Sequence, residues 1–373
     1  MDHSESPTRT DRIDADTPPE GLRPRQYLMP LAIGIPALIV MVVVASIEDL
    51  PLRDPDARFV GSPLALISIF CLGFLLLDVI ARAIRRVRSS DVGFGGAARE
   101  VFLGRWWGRR GLIVIASILG FYAAYLSYRN LKSFLPFVTD GALHDQALLD
   151  IEDAIFFGNQ PAELLHDLLG TGISAEVLST VYLVFLTFVP VSIGAALVWS
   201  SRLSAGIWYV TSLGIVWMLG VGTYYLVPSL GPIYAAPELF ADLPQTGVSE
   251  LSVTLLDHRS EVLADPFATD AVQGIAGFAS LHIAVLLTAA LIAHLVRAPR
   301  PLRICLWIFV ALTSLSTVYH GWHYVVDDIA GAAIAFVGVF GAAALLGLRR
   351  PYASRDAAES VPRPAPEPQP ELP

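Results

Sequence analysis

Eight stretches of roughly twenty apolar residues dominate this chain and leave few architectures open. A helix rises 1.5 Å per residue, so about 20 residues cross a ~30 Å hydrocarbon layer, and in lipid every backbone N–H and C=O must be satisfied internally. The stretches run roughly from Tyr27 to Ile47, Gly61 to Ala83, Gly111 to Ser127, Ala175 to Trp199, Ala205 to Val227, Ser280 to Val296, Leu302 to Tyr319 and Tyr324 to Leu348. With 54% hydrophobic and only 16% charged residues, the 373-residue chain lies outside the soluble globular range. The expected fold is all-α: a polytopic membrane helix bundle of about eight spans.

Arginine is sorted by face, and that sets the orientation. Arg9, Arg12, Arg23 and Arg25, the run from Arg82 to Arg110, and then Arg202, Arg297, Arg300, Arg303, Arg349, Arg350, Arg355 and Arg363 all fall on one side. The other side holds only Arg53, Arg58, Arg129, Lys132 and Arg259. The expectation is a multi-pass cell-membrane protein with both termini cytoplasmic. Residues 1–26 and 349–373 are polar and Pro-rich without periodicity and are expected to be disordered tails. Residues 27–110 hold two accessory spans and a basic loop, and 111–348 hold six spans. The net charge of −9 sits largely in tails and outer loops and points to no particular partner. Cys71 and Cys305 both lie inside apolar spans, as small hydrophobes do.

Two outer connections are longer than a turn requires. After the third span, Leu148, Leu149, Ile151, Ile155 and Phe156 fall at helical spacing with Asp150 and Asp153 off that face. That pattern predicts an interfacial amphipathic helix, broken near Pro161 and resumed through Leu164, Leu165 and Leu168. Between the fifth and sixth spans, Pro228 to Gly277 has weak periodicity and the length of a site-covering segment.

The ionisable residues are concentrated at one depth. "YHGWHYVVDD", Tyr319 to Asp328, opens the eighth span on the outer side, and His282 opens the sixth. Placing a charge at the bilayer centre costs ~2.5–3.5 kcal/mol on insertion scales, so such a cluster is a functional hypothesis by default. His323 and Asp327 are four apart, within hydrogen-bonding reach on one helix face. A carboxylate there fixes an imidazole tautomer, and a second histidine opposite it suits phosphoryl transfer: one ring attacks phosphorus and the other protonates the leaving oxygen. No metal or cofactor is called for. The competing structural reading is a polar pair that holds helices together. His320 reads as an interfacial side chain, a proton relay or a member of the site, His294 lies near the inner end, and Asp328 points about 100° away from Asp327.

The elements "GFASLHIA", Gly277 to Ala284, and "GWHYVVDDIAG", Gly321 to Gly331, resemble the type 2 phosphatidic acid phosphatase superfamily, and within it the inositolphosphotransferase branch related to inositol phosphorylceramide synthase. The resemblance implies a six-helix core from Gly111 to Leu348. It implies His323 as nucleophile, His282 as general acid, Asp327 as the group orienting His323, and Ser280 as a phosphate hydrogen-bond donor. It also implies transfer of a phosphate-linked headgroup between a lipid donor and a polyol or lipid alcohol, with hydrolysis of a lipid phosphate or polyprenyl diphosphate as the alternative. The family's Lys and Arg before the first histidine element are missing from "YYLVPSLGPIY", Tyr224 to Tyr234, and its Ser-Arg pair reads Ser316 and Thr317. Arg129 and Lys132, in "YRNLKSF" just past the third span, are the outer-face candidates to bind phosphate instead. Two other classes compete: a haem-binding electron-transfer protein ligated by histidines, and a transporter, which would carry its charges near the midplane. A nucleic-acid partner is not expected.

Overall fold

The computed structural model describes residues 22–54, 63–89, 92–200 and 202–348, and all regular structure among them is helical. A 3-10 turn at Pro24–Leu28 leads into α1 (Met29–Ile47). There follow α2 (Pro63–Ser89), α3 (Phe94–Arg105), α4 (Arg109–Val138), α5 (Asp145–Ile155) and α6 (Pro161–Leu169). Next come α7 (Ile173–Gly194, prolonged by a π-helical turn at Ala195–Trp199), α8 (Leu203–Leu226), the short α9 (Pro232–Ala235), α10 (Gly247–Ala264), α11 (Leu281–Leu295), α12 (Arg300–Tyr319) and α13 (Val325–Leu345). The terminal tails expected to be disordered lie outside the described residues, apart from 22–26. There Leu22 is buried, and the Gln26 amide donates to the Leu346 carbonyl at 2.8 Å. The start of the first span and the end of the last therefore lie together, at the end of the bundle away from Tyr319 to Asp328.

Among the described residues, seven helices are long and apolar enough to cross a membrane: α1 with its leading turn, α2, α4, α7, α8, α12 and α13. The expected sixth span is α11, with 15 residues, a length of about 22 Å. It packs against α8, α12 and α13, so its short barrel is enclosed by protein. The axis of the bundle is α8, whose apolar window is 72% buried against 22% for α2. The two expected accessory spans flank the bundle on separate neighbours, α1 along α4 and α8, and α2 along α3 and α7. Where α1 meets α4, Gly34 faces Gly120 so closely that neither position has room for a Cβ, the small-residue approach typical of membrane helices.

Two local expectations are corrected. The third span does not end near Ser127: α4 runs on to Val138, so Arg129 and Lys132 sit within the helix rather than past it. The polar residues that end the hydropathy signal, Asn130, Lys132 and Ser133, are buried against protein instead of facing lipid. Asn130 brackets the Arg53 backbone at 2.8 and 2.7 Å, and the Ser133 hydroxyl receives the Gln273 N–H at 3.2 Å. The amphipathic α5 and α6 do form and break before Pro161, and α5 keeps Ile151 and Ile155 outward, as an interfacial helix would. Its buried residues are Asp145, Leu148 and Glu152, while Ile151 and Ile155 are exposed. The long connection after α8 is also more ordered than its periodicity predicts. Thr246 caps α10, accepting from the Ser249 N–H, and α10 packs on α7.

Candidate active site

The turn between α12 and α13 is built by hydrogen bonds its own sequence supplies. The last carbonyls of α12 are capped by the N–H groups of His320, Gly321 and Trp322, bonded to Ser316, Val318 and Thr317. Gly321 sits at φ +70, the left-handed conformation that ends helices, with the Phe240 ring packed against it. Tyr324 is the extended N-cap of α13, and the Asp327 carboxylate reaches back to accept its N–H at 3.0 Å.

The same oxygen, Oδ2, lies 3.2 Å from His323 Nδ1. His323 is one residue before the N-cap rather than on the helix, so the pair forms through a capping carboxylate and not across a helix face. At Gly331, α13 lies against the Ser280 backbone with no space for a side chain, which brings the start of α11 to the start of α13. His282 Nδ1 then meets His323 Nε2 at 2.9 Å. Because Nδ1 of His323 donates to a carboxylate, its Nε2 carries the lone pair and the His282 Nδ1–H is the donor. Asp327, His323 and His282 thus form one continuous chain. Aromatic rings wall it: Tyr182 and Phe185 lie 4.9 and 4.7 Å from the His282 ring, and Trp322 stacks on Tyr182 at 5.2 Å.

From α4, Lys132 acts through its charge on both His282 and His323. It is 9% exposed, its Nζ is 3.5 Å from the Tyr128 hydroxyl, and it lies over the Tyr224 ring at 5.1 Å. No carboxylate among the described residues pairs with it. Burial first, and the nearby Lys132 charge second, push His323 down from 6.5 to about 3, against a backbone hydrogen bond to Gly277 that favours the charged form. His323 is therefore neutral across the physiological range, with its lone pair available.

The other expected site residues are placed differently. Ser280 is fully buried and caps α11, accepting the Ile283 N–H at 3.5 Å and bonding Asp328. Arg129 stands beside Lys132 and Tyr128, half-buried, with its Nε lacking a partner among the described residues. Asp328 also accepts from Ser314 at 2.6 Å and from Thr317 at 3.5 Å. His320 is buried outside the chain of three, and desolvation pushes it down to about 4. Sequence reasoning missed Tyr128, Tyr182, Phe185 and Tyr224, since an aromatic inside a span gives no signal of which face it takes, and Asp145, whose partners lie far along the chain. Two histidines hydrogen-bonded to each other do not stand as opposed ligands of a haem iron, and the cluster lies at the span ends rather than at a transporter's midplane.

Comparison with known proteins gives one match. The family model described as the PAP2 superfamily matches residues 146–341, just over half of the chain, including both histidines and Asp327 but not Lys132. No curated protein and no solved structure matches.

Proposed function

Because the chain belongs to the PAP2 superfamily, we propose that it is a membrane enzyme acting on lipid phosphate headgroups through His323, with residues 111–348 as its catalytic core. The observation that carries this is the buried, carboxylate-free Lys132, whose charge acts on a histidine pair backed by Asp327. An unpaired ammonium in a low-dielectric site lacks the counter-charge that buried ions require, and an anionic phosphate supplies it. This enclosed cation stands in for the basic residues missing from the family's usual positions, with Arg129 behind it.

In the first step the His323 Nε2 lone pair forms a bond to phosphorus as the bond to the leaving oxygen breaks. His282, protonated once the anion is bound, gives its Nδ1 proton to that oxygen. Asp327 holds the proton on His323 Nδ1 and balances the positive charge of the phosphohistidine. In the second step an alcohol gives its proton to His282 and attacks phosphorus, and the P–N bond breaks to restore the His323 lone pair. Lys132 stabilises the equatorial oxygens in both steps.

Transfer to an alcohol, as in the inositolphosphotransferase branch, is favoured over hydrolysis by enclosure. His323 and Asp327 are 3% and 0% exposed. The α8–α11 connection lies over the turn, with the Ile233 N–H donating to the Gly321 carbonyl at 2.8 Å. Transfer needs water kept out, which hydrolysis does not. The Arg-rich end, with both described chain ends, is assigned to the cytoplasm and the histidines to the outer face. The test offers the purified protein labelled phosphatidylinositol, phosphatidic acid and a polyprenyl diphosphate, each with and without alcohol acceptors. An acceptor-dependent labelled product is expected. Inorganic phosphate released without one would leave hydrolysis, and acid-stable labelling of the protein would remove the phosphohistidine.

A further inference from the structure

Two carboxylates of α5 point inward and grip the turn that carries His323. Asp145 receives the Leu230 N–H on both oxygens at 3.0 Å, the Gly231 N–H at 2.9 Å and the Tyr324 hydroxyl at 3.0 Å. Glu152, two turns later on the same face, accepts the Val325 N–H at 2.5 Å. That N–H belongs to the first residue of α13 and has no partner within its own helix, so Glu152 caps α13 from another element. Tyr324 is thus fixed through its N–H by Asp327 and through its hydroxyl by Asp145, and His323 is its immediate neighbour.

The other side of the same helix is apolar and bare. Ile151 is 43% exposed, Ile155 52%, Phe157 93%, Leu168 77% and Ile173 83%. Exposed apolar residues continue along the chain from α5 through α6 into α7, where Ile173, Val177 and Val184 are exposed on a helix long and apolar enough to cross a membrane. Continuity with that helix identifies the occupant as the bilayer's own lipid at the headgroup boundary.

We infer that α5 is a membrane-seated clasp: Ile151, Ile155 and Phe157 rest in lipid, while Asp145 and Glu152 act as positioning residues that hold the His323 turn in register with His282. This rests on the reading of His323 as the nucleophile, and it adds that an amphipathic helix couples the membrane surface to nucleophile placement. A misplacement of about 1 Å at a reacting atom lowers rate by about 100-fold.

The test uses the full chain, with both native cysteines replaced by serine, in phosphatidylcholine vesicles. A bimane label at Phe157→Cys is expected to be quenched by phospholipids brominated near the headgroup. Glu152→Ala is expected to lower kcat by about 100-fold with KM within about 3-fold, and Glu152→Gln, which keeps an acceptor for Val325, to recover most of the rate. Hydrogen exchange of the Val325 amide should accelerate in Glu152→Ala and not in Glu152→Gln. An unquenched bimane overturns the lipid seat. Equal rates, or equal exchange, in Glu152→Ala and wild type overturn the positioning role. If wild type has no activity on any lipid phosphate, the functional reading falls, while quenching and exchange still judge the clasp.

Discussion

The two ends of the bundle handle buried charge in opposite ways. At the Arg-rich end, the buried Asp78 accepts from Arg82 at 2.9 Å, Arg105 at 3.1 Å and the Trp106 indole at 3.2 Å. Arg110 lies over the Trp106 ring and donates to the Ser200 carbonyl. That carboxylate is saturated, and its partners tie α2 to α3 and to the loop before α4. At the histidine end a buried ammonium has only a hydroxyl and two rings, and one oxygen of Asp327 has no partner among the described residues. A satisfied buried charge is a structural tie, whereas an unsatisfied one in a walled site is a place held for a ligand.

The sharpest way to break this contrast is at the histidines. His323→Ala and His282→Ala are each expected to abolish turnover while the protein stays folded, because each removes an atom that bonds to the substrate or moves its proton. Residual wild-type rate in His323→Ala, measured on the labelled lipids, would end the histidine mechanism. Vanadate, resembling five-coordinate phosphorus, should inhibit wild type and bind neither variant normally. Next comes Lys132→Met, which keeps the stem and removes the charge; kcat/KM should fall by roughly 100- to 1000-fold. Arg129→Met should fall less, since the charge acting on His323 is that of Lys132. At the other end, Asp78→Asn should cost about 1–3 kcal/mol of stability and leave kcat in place, because arginines that are 36% and 22% exposed can rehydrate. A thermal scan in detergent alongside the turnover assay separates the two outcomes.

How much of this was legible beforehand depends on which physical signal carried it. Apolar runs marked every span, because length and hydropathy are local properties, and the His323 and Asp327 spacing marked the site. The extension of α4 was hidden, since Asn130 and Lys132 read as solvent-facing when their neighbours are in fact the Arg53 backbone and α8. The apolar side of α5 was legible as that of an interfacial helix. Beside a bilayer that side faces lipid and leaves Asp145 and Glu152 to the protein, but which N–H groups they accept from is decided by packing. Aromatic walls such as Tyr182 and Phe185 depend on which face α7 presents, which only packing decides.

The smallest effect concerns pH, and it opposes neighbours at the same end. His323 and His320 are held down from 6.5 to about 3 and about 4, chiefly by burial. The unfolded chain therefore binds protons below pH 6.5 that the folded chain refuses, and both histidines lower stability as pH falls from 6.5 toward those values. Glu152 runs the other way. Burial raises it from 4.5 to about 7, with Asp327, Asp328 and Asp153 adding repulsion and the Val325 N–H opposing, so its folded form keeps a proton that the unfolded chain has lost. Its contribution is full below 4.5 and disappears as pH rises through 7. Between pH 4.5 and 6.5 the Glu152 slope opposes those of His320 and His323, so removing one group tilts the pH dependence in a fixed direction. In thermal unfolding in detergent, acidification from pH 7 to 4.5 should destabilise His320→Gln less than wild type and Glu152→Gln more. Each group contributes a slope of at most about 1.4 kcal/mol per pH unit. The reverse order would mean that His320 is charged in the folded protein, and the histidine end would then contain a second buried cation beside Lys132.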